Sequence, residues 1–196
     1  MAKTFEHKFD NCKYTVFSDK PEILNLISFE QIHSNKVIEF SPGKDIPECD
    51  GIVFSKDLAK KYSFAIKTAD CLPILIFGSD KVAFVHAGWR GLANNILANK
   101  LILDIKPVSA FIGPSISAEN FIVTEEFREN FKDSSDYFES NKDLSFNLQA
   151  EAIKQLNIKF PGIDTINCAQ CTFDNGQYNS YRRDKTDKRN WNIFSI

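Results

Sequence analysis

Short apolar runs separated by polar breaks organise this chain. Ser63 to Phe77 carries Phe64, Ala65, Ile66 and then Leu72, Ile74, Leu75, Ile76 and Phe77, which reads as one buried strand. Lys81 to Val85 reads as a second, and the intervening Gly78-Ser79-Asp80 is a tight hairpin signal. If Ser79 and Asp80 form a two-residue loop, Gly78 pairs with Lys81, Cys71 falls opposite Gly88, and His86 falls opposite Pro73. Further short strands are predicted near Tyr14–Phe17, Val37–Phe40, Gly51–Phe54, Ser109–Ile112 and Thr165–Ala169. Leu92, Ile96, Leu97 and Leu101 have helical spacing, which predicts a helix over Leu92–Leu103. Two more are expected near Thr124–Asn130 and Leu148–Leu156, the latter with Asn147 as N-cap. Without repeats, linkers or low-complexity stretches, the mixture reads as a single α/β or α+β domain over residues 1–196.

The predicted hairpin places chemistry. The chain has only 3 histidines, and His33 (Gln31-Ile32-His33-Ser34) and His86 (His86-Ala87-Gly88-Trp89-Arg90-Gly91) sit in segments unlike ordinary core. In the register above, Cys71 and His86 are diagonal neighbours on one face. Such side chains lie roughly 7–8 Å apart, a span that a metal bound by both tips can bridge. A slip of one residue would part them. Imidazole and thiolate are ligands zinc prefers, and three of them leave a fourth position open. The residues alone also allow Cys71 as a small buried hydrophobe, a cysteine hydrolase using Cys71 and His86, or a non-catalytic module that keeps zinc for stability. Arg90 stands between Gly88 and Gly91, just ahead of the predicted helix, where phosphate or carboxylate could be held. Asp50-Gly51 looks like a turn into a strand with a local acid, and strand alternation points Asp70 away from Cys71. Cys168-Ala169-Gln170-Cys171 lacks a partner pair for a second metal site, and His7 is expected to be exposed.

Taken together, Gln31-Ile32-His33-Ser34, Thr68-Ala69-Asp70-Cys71-Leu72-Pro73, His86-Ala87-Gly88-Trp89-Arg90-Gly91-Leu92, Ile112-Gly113-Pro114-Ser115-Ile116, Cys171-Thr172 and Ser180-Tyr181-Arg182-Arg183-Asp184 resemble the laccase-domain, or YfiH-like, family, formerly labelled polyphenol oxidases. The resemblance implies a mixed α/β fold layered α-β-β-α and one zinc ion per chain on His33, Cys71 and His86. It also implies phosphorolysis of adenosine, inosine, guanosine and methylthioadenosine, and deamination of adenosine. Cys71, His86 and Arg90 would be catalytic, with substrate contacts from Gln31, Arg90, Ser180 and Arg182. Family members usually carry a longer N-terminal region with an arginine and a glycine-rich segment, where this chain has Met1 to Glu30. The usual Thr-Gly-Arg near the C-terminus reads Thr186-Asp187-Lys188-Arg189. The older oxidase label needs coupled copper centres rich in imidazole, which three histidines do not supply, although a single copper could occupy the site in vitro.

Composition narrows the partners. With 196 residues and 43% hydrophobic content the chain can bury one sizeable core. A net charge of −2 gives no electrostatic case for nucleic acid. The basic cluster Arg182, Arg183, Lys185, Lys188 and Arg189 reads equally as a solvated tail or a phosphate or interface patch. No apolar run reaches the roughly 20 residues that span a membrane, and the start lacks a signal-peptide core. Five cysteines without framework spacing fit reduced thiols in the cytoplasm. A small-molecule nucleoside with phosphate, acted on by a monomer or homodimer, is the expected setting.

Overall fold

The hairpin forms in the expected register. In the computed structural model, which describes residues 2–140 and 142–196, Gly78 N–H donates to Lys81 O at 2.9 Å. The ladder runs from Phe77 opposite Val82 to Pro73 opposite His86 and Leu72 opposite Ala87. Only glycine fits the corner, because a Cβ on Gly78 would lie 2.1 Å from Ile105 O.

Two larger sheets carry the fold. One holds β1 (Lys3–Lys8), β2 (Lys13–Phe17), β13 (Asn190–Ser195), β6 (Ser63–Thr68) and β3 (Leu26–Ile27) in that spatial order. The other holds β12 (Asp164–Asn167), β9 (Ser109–Ile112), β7 (Leu72–Phe77), β8 (Lys81–Ala87), β5 (Gly51–Ser55) and β4 (Val37–Glu39). A separate pair joins β10 (Phe138–Ser140) to β11 (Leu144–Phe146). The helices are short: α1 (Lys56–Ala59), α2 (Trp89–Ala93), α3 (Lys100–Asp104), α4 (Leu148–Lys159) and α5 (Tyr181–Asp184). None is long and apolar enough to cross a membrane among the described residues.

Strand alternation divides the core into two layers. Leu75 on β7 and Val82 and Phe84 on β8 meet Tyr14, Phe64 and Phe194 of the other sheet, with Phe54 and Phe64 stacked at 3.6 Å between ring centres. Ile74, Ile76, Ala83 and Val85 point the opposite way, against Leu92, Ile96, Leu97 and Leu156 of the helical segments. The six-stranded sheet is therefore buried on both faces, which is why β7 is apolar without a break. The result is the mixed α/β, layered class that the motifs imply. His86 continues the Val82 and Phe84 row, so it enters the site from the layer between the sheets.

Two expected elements are broken. Ser63–Phe77 is not one strand: β6 and β7 belong to different sheets, and Ala69-Asp70-Cys71 crosses between them. Asp70 turns the chain there with φ 91°, and its backbone oxygen accepts from Ile116 N at 3.0 Å. Leu92–Leu103 is likewise not one helix. It resolves into the end of α2, a 3₁₀ turn at Ile96–Ala98 and α3. Asn95 takes a left-handed conformation at φ 56°, and Asn99 caps α3 by accepting from Leu101 N at 3.1 Å. Leu92, Ile96 and Leu97 are still fully buried, so the apolar spacing reported burial rather than a continuous helix. The segment expected as a helix at Thr124–Asn130 is a 3₁₀ turn over Glu125–Asn130, and β1, β3 and β13 carried no clear signal.

Candidate metal centre

His33, Cys71 and His86 converge. Their ligand atoms all lie within 4.8 Å of one another, and the two imidazoles meet edge to face with centres 4.8 Å apart. Each arrives on a different piece of backbone. His86 is the next-to-last residue of β8, Cys71 directly precedes β7, and His33 sits in a loop with φ 59°. Gly88 makes room for them: a Cβ there would reach 3.0 Å from Cys71 Sγ and 3.4 Å from His33 Cδ2.

A fully buried carboxylate organises two of the three. Asp50 Oδ1 accepts from the ring Nδ1 of His86 at 2.8 Å and from the backbone N of His33 at 2.9 Å. Its Oδ2 accepts from Ser34 N and Ser34 Oγ, both at 2.6 Å. Burial opposes the charge on Asp50, but the hydrogen bonds from His86 and Ser34 outweigh it and bring the carboxyl to about 2. An ionised Asp50 holds Nδ1 of His86 as a donor, so Nε2 is the ring atom turned to the site and the one that gives up its proton when a metal binds. Sequence patterning alone marks Asp50 as a local turn acid. Antiparallel pairing of β5 with β8, which sets Gly51 opposite Val85, is what brings it beside His86.

Electrostatics favour a ligating thiolate. Burial raises Cys71, yet the charges and hydrogen bonds of His86 and His33 overcome it and hold the thiol at about 6. Burial opposes charging of His86, but Cys71 and Asp50 raise it to about 9. Cys49 and Cys168 lack such partners, and burial pushes each to about 11. Two imidazoles and one ionisable thiol at this spacing fit a zinc-type donor set with one position left over.

The centre opens into a cleft of about 1,100 Å³, also lined by Trp89, Phe121, Tyr181 and several cations. Arg90 lines it as an exposed residue inside α2, not ahead of a helix as expected, and its guanidinium lies 4.5 Å from the Trp89 ring centre. Arg182 lines it too, 5.1 Å from the Phe121 ring centre, with its backbone N donating to Asp70 Oδ2 at 2.7 Å. Asp70 Oδ1 accepts from Thr172 Oγ1 at 2.8 Å, so this carboxylate fixes the crossing ahead of Cys71. Gln31 reaches the cleft, but both ends of its amide bond the Lys67 backbone at 2.7 Å. Ser180 is fully buried and absent from the lining, because its hydroxyl caps α5 by accepting from Arg183 N at 3.2 Å. Arg183 is spent on the carbonyls of Thr172, Phe173 and Tyr178. Cys171 Sγ accepts from Ser117 N at 3.4 Å, and His7 stacks half-buried on Phe111 at 4.6 Å rather than facing solvent.

A family model described as multi-copper polyphenol oxidoreductase laccase matches residues 13–194, almost the whole chain. The chain belongs to that laccase family. Among this family member's relatives, a purine nucleoside phosphorylase of Aquifex aeolicus is 37% identical over 165 residues, covering 81% of this chain and 77% of the relative. A purine nucleoside phosphorylase of Campylobacter jejuni is 32% identical over 179 residues, covering 86% and 76%. The crystal structure of a Neisseria meningitidis DUF152 protein superposes with a TM-score of 0.78 at 25% identity, covering 95% of each chain. A Bacillus licheniformis YfiH structure shares the fold at TM-score 0.77 and 19% identity, covering 88% of this chain and 74% of that one.

Proposed function

We propose that this laccase-family chain is a zinc-dependent purine nucleoside phosphorylase, with one zinc ion on His33, Cys71 and His86. The convergence of those three donors within 4.8 Å, at a cleft that also holds arginines, carries the reading. Names of relatives at 32–37% identity point the same way. A zinc ion there would supply a Lewis acid that orients and polarises bound substrate. Asp50 holds the His86 ring in the tautomer and direction that ligation needs. Trp89, Phe121 and Tyr181 offer aromatic surface to a purine. Arg90, braced over Trp89, would hold phosphate through its planar fork. A phosphate oxygen then bonds to the ribose C1′ as the bond from C1′ to the base nitrogen breaks, with the base leaving.

The three-ligand set, with a coordination position to spare, supports a second reading: deamination of adenosine to inosine by water. A cysteine hydrolase needs one thiol and one histidine, and the arrival of His33 at the same point favours a metal over that alternative. Zinc is favoured over coupled copper because His7, the third histidine, is engaged with Phe111. Five free thiols suit a cytoplasmic setting.

The deciding experiment incubates zinc-loaded protein with adenosine, with and without inorganic phosphate, and resolves adenine from inosine. Adenine formed only with phosphate is the expected result. Inosine selects the deaminase, and no product in either case sinks both. Arg90→Ala should cut phosphorolysis roughly 30- to 1000-fold by removing a charge-assisted contact from the transition state. Its melting temperature should barely move, because the side chain is exposed.

A further inference from the structure

Five cations line the cleft (Lys67, Arg90, Arg182, Lys185 and Arg189) against the carboxylates of Glu30 and Asp70. The lining is thus net positive in a chain of net charge −2. Asp70 is already committed to Thr172 and Arg182. Some cations away from the cleft meet carboxylates: Lys81 with Glu39, Lys100 with Asp104, Arg183 with Asp184. Among the described residues, Lys67, Lys185 and Arg189 form no ion pair. Neutral groups hold them instead. Lys67 lies 5.9 Å from the Trp191 ring centre and Lys185 lies 5.2 Å from that of Tyr181. Arg189 Nη1 donates to Thr186 O at 2.9 Å and to Lys188 O at 2.8 Å. Such contacts fix a cation in place without cancelling its charge.

Strand pairing sets two of them at one end of the sheet. Lys67 on β6 is directly opposite Trp191 on β13, and Arg189 stands one residue ahead of β13. Gln31 clamps the Lys67 backbone from two residues ahead of His33, which links this rim to the metal centre. One phosphate co-substrate at Arg90 leaves these three charges unused.

We propose that Lys67, Lys185 and Arg189 form a second anion subsite, which binds a phosphate carried by the substrate itself, so that the cleft takes a purine nucleoside 5′-monophosphate in preference to the uncharged nucleoside. The inference rests on the purine reading above and is tested by binding, independently of turnover. Isothermal titration of zinc-loaded protein with adenosine 5′-monophosphate, adenosine and inorganic phosphate reads it. The monophosphate should bind at least about 10-fold more tightly than adenosine, the scale of one or two charge-assisted hydrogen bonds. Lys67→Met with Arg189→Met should collapse that ratio towards one, and Lys67→Arg should preserve it, which separates charge from fold. Equal affinity for the two ligands overturns the subsite. So does an equal loss for both in the double variant, or occupation of the rim by inorganic phosphate while adenosine stays bound. If adenosine is phosphorolysed but the monophosphate binds no better, the subsite fails and the phosphorylase stands. If the monophosphate binds through the rim and neither compound reacts, the phosphorylase fails and the subsite stands.

Discussion

Asp50 carries more of the site than its one side chain suggests. A single buried carboxylate accepts from the ring of one histidine, the backbone of the other, and both donors of Ser34. Asp50→Asn would keep the shape but turn a donor NH₂ towards donors. Metal affinity should fall about 10- to 100-fold, as for other groups that orient a ligating histidine. Competition with a chromophoric chelator measures it, and unchanged affinity would show that His86 is oriented some other way. The three candidate donors are legible in the sequence: His33, Cys71 and His86 stand in motifs, and hairpin register alone predicts that two of them meet. Asp50 is not, because its bond to His86 spans 36 residues of sequence and exists only through β5–β8 pairing. Ser180 shows the converse. Its motif was visible, but helix capping, not the cleft, uses its hydroxyl.

At the scale of elements, polar residues inside apolar patterns decided where sequence reading failed. Spacing marked Leu92, Ile96 and Leu97 as buried but not the break that Asn94, Asn95 and Asn99 impose. The break has a purpose in the fold. Asn35 Nδ2 donates to Asn94 O at 2.9 Å, and Asn99 Nδ2 donates to Asn35 O at 3.1 Å. A continuous helix would withdraw these groups from the loop that carries His33. Asn95→Gly should be neutral or slightly stabilising, whereas Asn95→Ala should cost up to about 1 kcal/mol, because alanine keeps the Cβ but lacks the polar side chain that lets asparagine tolerate left-handed backbone. Urea unfolding compares them, and equal midpoints would mean that the segment relaxes out of that conformation. Asp70 acts similarly between β6 and β7. One polar residue at φ 91° turns what reads as a single strand into a bridge between two sheets.

Across the whole molecule, the least legible element is the central strand of the five-stranded sheet. Asn190-Trp191-Asn192-Ile193-Phe194-Ser195 resembles a polar tail, yet β13 lies between β2 and β6. Asn192 explains how an amide sits there fully buried. Its oxygen accepts from Tyr14 OH on β2, and its nitrogen donates to Ile66 O and Thr68 Oγ1 on β6, each at 3.0 Å. A side chain that discourages strand formation in isolation thus joins three strands once they meet, which composition and periodicity have no means of showing. Asn192→Ala would orphan the Tyr14 hydroxyl inside the layer between the sheets. The cost should be about 2–3 kcal/mol, since a buried donor loses its partner and keeps its desolvation penalty. In a chain of this size that lowers the melting temperature by roughly 4–12 °C. Tyr14→Phe removes the hydroxyl, so in the Asn192→Ala background it should cost far less than in the wild type, and could recover stability. A double-mutant cycle by thermal denaturation checks the pair. If the two losses simply add, the Tyr14–Asn192 bond contributes nothing, and the apolar contacts of Phe64, Phe84 and Phe194 hold β13 in place without it.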